Sequence, residues 1–440
     1  MNLSKQVLRL AMPSILANIT IPLVGIVDTA IVGHISDAAA IGGIAIGTML
    51  FDLLYWNFGF LRVGTSGMAA QAYGRHDRVD CAKILAQSLA IAGFATLLVW
   101  VLQWFFVTAV LACVPCSTEV AHLARRYFFV RIWAAPATLS LMAFKGWFIG
   151  MQDTISPMLC DIVVNVVNMV VSYSLAVHTP LGFIGVAYGT VIAQFCGLVL
   201  AIILTCTRYR SYIALFTEAK DWIRWTQLRK LMTLNGNLFI RSLCFMVVYV
   251  GFTSIASDYG NEQLAVASIM MKLFMFFSYF VDGFAFAGEA LVGRFIGEQN
   301  LPALRTSVRV LFLWSLAVGV VFTLIYAMGS KQCFALMTND PQVLTLANAF
   351  ILWLIAMPIV STLAFMWDGI YIGATAGIEI RNAMIWAAVG FVVVYVALYR
   401  CCGIQALYMA YFAHLIARVL YLTIRYKKSI ITTISMNQSL

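Results

Sequence analysis

Charge is what this chain has least of. Only 10% of its 440 residues are Asp, Glu, Lys or Arg, against about 25% in soluble domains. A water-soluble fold is therefore excluded, and no polar stretch is long enough to make a sizeable soluble domain beside the apolar ones. Histidine is scarce too, with five copies, mostly at loops or span ends. No H-E-x-x-H, no Ser/His arrangement and no signature pair of intramembrane acids occurs, which argues against an enzyme. The ten cysteines are scattered and make no disulfide framework. Cys113 and Cys116 form a C-x-x-C, but no second pair or His completes a zinc set. Adjacent Cys401 and Cys402 cannot bridge easily. Neither a metal nor a cofactor is expected.

What remains is apolar: 62% of the chain is hydrophobic. Runs of mostly apolar residues recur, each able to cross a hydrocarbon core of ~30 Å. Twelve are expected, at roughly 8–33, 40–73, 83–112, 120–150, 155–178, 181–207, 231–257, 262–296, 302–328, 342–373, 376–400 and 403–425. Several are long enough to tilt, bend or project beyond the bilayer. The first has no early small-residue cleavage signature and is expected to be mature structure, not a signal peptide.

The runs repeat. PATLSLMAFKGWFIG (136–150) returns as PIVSTLAFMWDGIYIG (358–373), and GFIGVAYGT (182–190) loosely as GIQALYMAY (403–411). Gly74 and Gly297 each close an apolar run at a spacing of 223. An all-α polytopic membrane protein follows, with twelve transmembrane helices in two pseudo-symmetric six-helix lobes. Six spans per half make the repeats parallel, and a duplicated membrane bundle is the architecture of a transporter. The expected divisions are an N-terminal lobe at 1–207, a cytoplasmic interfacial linker at 208–230, a C-terminal lobe at 231–426 and a polar, loose tail at 427–440. The linker mixes Arg and Lys with Ile213, Phe216, Trp222 and Trp225, as an interfacial helix would. With both termini in the cytoplasm, eighteen Lys and Arg fall in inner segments and four near outer ones. That is a strong positive-inside bias. The net charge of +10 then faces anionic lipid, and no nucleic-acid partner is read from it.

Each charged side chain inside a span costs about 2.5–3.5 kcal/mol on insertion scales and so needs a reason. The first half holds Asp28, Asp52, Arg62, Arg131, Lys145 and Asp161; the second holds Arg241, Lys272, Asp282, Glu289, Asp368 and Arg418. Mutual neutralisation explains any one of them about as well as function does. Asp28 is the strongest functional candidate, because Pro13 and Pro22 precede it on the first span. A proline frees a carbonyl and lets a helix bend. A lone carboxylate there can be neutral when dry and charged when wet, as proton coupling requires. Asn165, Asn168 and Thr190 are placed to hydrogen-bond it, although such residues more often join helices. Asp282 and Glu289 share one face of the eighth span, flanked by Gly283 and Gly288. They either attract a cationic substrate or balance Arg241, Lys272 and Lys145. Gly146-x-x-x-Gly150 and Gly369-x-x-x-Gly373 are packing devices. Lys145 stands where the repeat has Asp368, which suggests an ion pair between the halves or within one bundle. Abundant Met and aromatic residues suit a cavity for greasy ligands of varied shape.

The segments PSILANITIPLVGIVDTAIVGH (13–34), LRVGTSGMAAQAYG (61–74), RSLCFMVVYVGFTSIASDYG (241–260), VDGFAFAGEA (281–290) and WDGIYIGATAGIEIRNAM (367–384) resemble the MATE (multidrug and toxic compound extrusion) family. Within it they resemble the subfamily of DNA-damage-inducible protein F, over residues 5–426. The resemblance implies a MATE/MOP-type fold and alternating access. It also implies secondary antiport of cationic or amphipathic organic compounds, coupled to inward proton or sodium flow, in a bacterial cytoplasmic membrane. Pro13 and Asp28 match the family's bending first helix and its protonatable acid; Asn168 and Thr190 match polar residues near that acid. Ser172 stands where many relatives have a second Asp. Arg241 lies on the seventh span, which in the sodium-coupled branch carries a Glu, whereas Asp368 matches the tenth-span acid. Proton coupling is therefore expected, with Asp28 served by Asn168, Ser172 and Thr190. A sodium-coupled exporter and a lipid-linked precursor flippase are the alternatives, the latter using Arg62, Arg131, Lys145, Arg241 and Lys272. The expected partners are small organic substrates and the lipid bilayer, and the expected working unit is a monomer.

Overall fold

A chain in hydrocarbon must satisfy its backbone donors and acceptors internally, and a helix does so within each segment. The structure, a computed structural model, describes residues 2–35, 38–114, 116–216 and 225–432. Among these no strand occurs, and twelve helices are long and apolar enough to cross a membrane. They are α1 (Leu3–His34), α2 (Ala39–Gly74), α3 (Arg78–Cys113), α4 (Thr118–Gly150), α5 (Ile155–His178), α6 (Phe183–Arg208), α7 (Arg229–Asp258), α8 (Asn261–Gly297), α9 (Leu301–Ala335), α10 (Ile351–Gly373), α11 (Gly377–Cys402) and α12 (Gln405–Ile431). The protein is an all-α, multi-pass membrane protein. Side chains such as Val101 and Phe105 on α3 are 77% and 76% exposed. A surface of that kind belongs in lipid, not water.

The helices pack as two units, Leu16–Leu231 and Met232–Leu440, the second joined by Met1–Ile15. The lobe expected at 1–207 did not assign those first fifteen residues this way. α1 runs helically through Pro13 and Pro22, and it changes unit just after Pro13. Its first part lies against α8 at Gly283, where a Cβ would meet the Ala11 carbonyl and Ile15. Of the expected linker, Arg210–Ile213 is one helical turn and Ala214–Phe216 a 3-10 turn, while Trp225 opens the helix that becomes α7. Trp222 and the rest of 217–224 lie outside the described residues, as does 433–440 of the tail. The start of that tail is ordered, not loose: Lys427–Ile431 prolongs α12 with Ile430 and Ile431 buried.

The duplication is written into the backbone. Left-handed residues occur at His76 and Gln299, at Gln152 and Thr375, and at Gly182 and Gly403. Asp77 caps α3 by accepting from the Asp80 amide, and Asn300 caps α9 by accepting from the Ala303 amide. The two G-x-x-x-G pairs also match. A Cβ at Gly146 or Gly150 on α4 would strike the α2 backbone at Arg62 and Ser66. One at Gly369 or Gly373 on α10 would strike α8 at Ala285 and Glu289. Both are packing devices, as their spacing indicates.

Each unit latches its last two helices at one end. Asp153, before α5, accepts from the Ile155 and Ser156 amides and from the Tyr209 hydroxyl at 3.1 Å, with Arg208 at 3.5 Å. Burial and the Asp153 carboxylate beside it push the Tyr209 phenol up from its ordinary value. In the other unit Glu379, at the start of α11, accepts from Arg425 at 2.7 Å and from Tyr421 at 2.9 Å, both on α12.

Candidate functional site

In the unit Leu16–Leu231, Asp28 arrives on α1, Asp52 on the first part of α2, and Arg131 on α4. Local breaks aim these side chains. α2 is interrupted at Gly59, between Ala38–Phe58 and Phe60–Gly74; glycine is a common cause of such kinks. α4 tightens into a 3-10 turn at Ile132–Ala134, directly after Arg131 and ahead of Pro136. Asp28 is half-buried, and its Oδ1 is buried with no hydrogen-bond partner among the described residues. Arg131 is the charged group that both Asp28 and Asp52 feel. Its guanidinium lies over the Phe51 ring at 4.6 Å and the Tyr127 ring at 5.7 Å, and its Nη1 donates to the Tyr127 hydroxyl at 3.2 Å. Such stacking on ring faces holds a cation where water is sparse.

The polar residues of α5 and α6 meet one another. Asn168 Nδ2 donates to Thr190 Oγ1 at 2.9 Å, and Thr190 donates to the Val186 carbonyl at 3.2 Å. Ser172 Oγ donates to that same carbonyl at 3.4 Å. Gly189 lies so close to Ser172 that a Cβ there would collide with it. Asn165 reaches α1, donating to Thr20 Oγ1 at 2.6 Å. None of these groups hydrogen-bonds the buried oxygen of Asp28. The support expected from Asn168, Ser172 and Thr190 is in this geometry engaged between α5 and α6.

In the other unit, Asp368 on α10 is 6% exposed and held by two arginines. Arg241 Nη2 on α7 donates to its Oδ2 at 2.6 Å, and Arg418 Nε on α12 donates to its Oδ1 at 3.0 Å. Arg418 Nη2 also pairs with Oδ2. Lys145 pairs with Asp161 on α5, within its own unit. The suggested pairing of Lys145 with Asp368 is therefore replaced by two separate ion clusters. The ion-pair partners of Arg241 and Lys145 are Asp368 and Asp161. Glu289 is buried on α8 and Asp282 half-buried. Among the described residues no three of His, Cys, Asp and Glu converge as metal ligands would.

The sequence profile of the MatE family matches twice, over residues 13–174 and 238–399. The chain belongs to the MatE family. It is 32% identical to DNA damage-inducible protein F of Escherichia coli strain K12, over 88% of this chain and 84% of that one. It is 25% identical to Protein DETOXIFICATION 44, chloroplastic, of Arabidopsis thaliana, over 84% and 72%. A MATE crystal structure in the bent conformation superposes with a TM-score of 0.88 at 15% identity, covering 100% of this chain and 98% of that one. An outward-facing multidrug resistance MATE transporter of the MOP superfamily gives 0.87 at 15%, with the same coverage. The MatE fold thus accounts for both units. Within it, the sequence pointed to Asp52 only as one of the charges inside the spans, and to Arg131 only as such a charge and as a basic group of a flippase. The available signal was an arginine four residues after Tyr127, one helical turn away, just before a helix break.

Proposed function

We propose that this MatE protein is a proton-coupled antiporter of a bacterial cytoplasmic membrane, exporting cationic or amphipathic organic compounds, with both termini inside and one chain as the working unit. Its relatives support export: one is a probable multidrug resistance protein NorM of Thermotoga maritima, 22% identical. The observation that carries the coupling scheme is the Asp28 carboxylate, whose buried Oδ1 has no hydrogen bond. Such an oxygen is open to a proton, and neutralising it removes the charge that holds a cationic substrate. α1 carries Pro13 beside the point where it changes unit, so a change of charge at Asp28 is coupled to a helix able to bend. Substrate and proton then need only favour different states, because coupling is a free-energy exchange between linked sites.

A sodium-coupled scheme would call on Asp368, but both oxygens of that acid are engaged by guanidiniums. A hard cation needs oxygen lone pairs that are free. A flippase would need basic groups free to reach a pyrophosphate, and two of its five candidates, Lys145 and Arg241, are paired with acids. The test is export by Asp28→Asn in proteoliposomes with an imposed pH gradient. Loss of pH-driven export is expected; efflux with wild-type rate and pH dependence discards the scheme.

A further inference from the structure

Arg131 needs an account. A guanidinium inside a membrane bundle is costly, and this one forms no hydrogen bond to either acid. It lies on the faces of Phe51 and Tyr127, as an aromatic-seeking organic cation would, and hydrogen-bonds the Tyr127 hydroxyl. The ionisable groups around it are Tyr127, Tyr55, Asp28 and Asp52. Each acid in turn has Arg131 as its charged neighbour. With the phenols neutral and both carboxylates ionised, the state that would hold a cation, the guanidinium leaves the cluster with a single net negative charge. All of these residues belong to one unit.

We propose that Arg131 is a tethered counter-cation that sets the charge of this site, with its acids ionised, at one negative unit and thereby selects monovalent over divalent organic cations. A monocation neutralises the cluster. A dication leaves a net positive charge. Asp28 is half-buried and Asp52 exposed, and even with the screening of a protein surface one unit of charge ~4 Å away changes affinity by well over tenfold. Arg131 acts here as a specificity-determining residue, through charge and through occupation of the aromatic faces. The proposal rests on the reading that this unit holds the export site. It adds the class of cation that the site accepts.

The test is equilibrium binding to the purified full-length protein in nanodiscs, at fixed ionic strength and without any gradient. Tetraphenylphosphonium serves as the monovalent probe and methyl viologen as the divalent one. Wild type is expected to prefer the monocation. Arg131→Gln is expected to shift the ratio of affinities at least tenfold toward the dication, and Arg131→Lys to leave the preference for the monocation in place. The double variant Arg131→Gln/Asp52→Asn restores one net negative charge and is expected to restore the wild-type ratio. An unchanged ratio in folded Arg131→Gln overturns the proposal, as does a folded double variant that keeps the shifted ratio. Should Arg131→Gln not fold, Asp52→Asn alone carries the test: it is expected to weaken the monocation at least tenfold, and unchanged affinity refutes the charge count. Binding without a gradient does not depend on proton coupling, so failure here is distinct from failure of Asp28→Asn to lose pH-driven export.

Discussion

Replacing Asp368 by Asn asks whether the acid on α10 is a structural hub or part of the transport chemistry. Its carboxylate lies between guanidiniums from α7 and α12, with 6% of the side chain exposed. Removing that charge leaves Arg241 and Arg418 facing one another across the contact. Breaking a buried pair by deleting one partner costs about 3–5 kcal/mol. In a unit of this size ~1 kcal/mol moves the melting temperature by about 2–4 °C. A fall of about 10 °C is therefore expected, read by thermal unfolding of the purified protein in detergent. The triple replacement Asp368→Leu, Arg241→Met and Arg418→Met removes every desolvated charge in the cluster. Apolar residues of similar volume often match a buried ion cluster or exceed it, so most of the lost stability should return. Export driven by a pH gradient should be retained in that triple variant. An Asp368→Asn protein with the wild-type melting temperature and no transport would refute the structural account. So would a triple variant as unstable as the single one.

Gly150→Val should lower the melting temperature by an amount equivalent to about 1–3 kcal/mol, because a Cβ there meets Ala69 and the Ser66 carbonyl on α2; Gly93→Ala, with open space around it, should melt like wild type. Tyr209 makes a prediction in alkaline solution. Its phenol is held protonated in the folded state by burial and by Asp153, whereas an unfolded tyrosine ionises near ~10. Below that pH the folded state bears no penalty, and above it the unfolded state gains by ionising. Stability should then fall as pH rises past about 10, and Tyr209→Phe should flatten that fall in melts taken across the range; an unchanged slope would remove the argument.

The membrane class, the span count and the duplication were all legible, because hydropathy and repeated glycines act locally and survive as pattern. Gly146, Gly150, Gly369 and Gly373 could be read as packing positions because small residues four apart allow only a few kinds of contact. Charge pairing was not legible. Lys145 and Asp368 match in the repeat alignment, yet Lys145 meets Asp161 sixteen residues on, while Asp368 meets Arg241 and Arg418. A repeat specifies which backbone positions are equivalent; it does not specify which neighbouring helix supplies the partner. Asn168 and Thr190 show the same limit. Their polarity inside the spans was readable, but their preference for each other depends on how α5 packs on α6.

The positions that carry charge have moved between the two halves while the backbone stayed equivalent. At the spacing of 223 set by Gly74 and Gly297, Asp28 corresponds to Gly251 and Asp52 to Met275. In the other direction, Asp282 corresponds to Gly59, Glu289 to Ser66 and Asp368 to Lys145. The unit with Asp28 keeps an acid whose Oδ1 lacks a hydrogen bond and an arginine resting on aromatic rings. The unit with Asp368 binds its acid with two arginines at once. Duplication supplies two identical scaffolds, and a membrane makes every retained charge expensive. A charge persists where it is neutralised or where its change of state is used. Asp368 fits the first case through three ion contacts. Asp28 has Arg131 as a charged neighbour but no hydrogen bond to its buried Oδ1 among the described residues, which is why the proposed coupling turns on its protonation and not on that of Asp368.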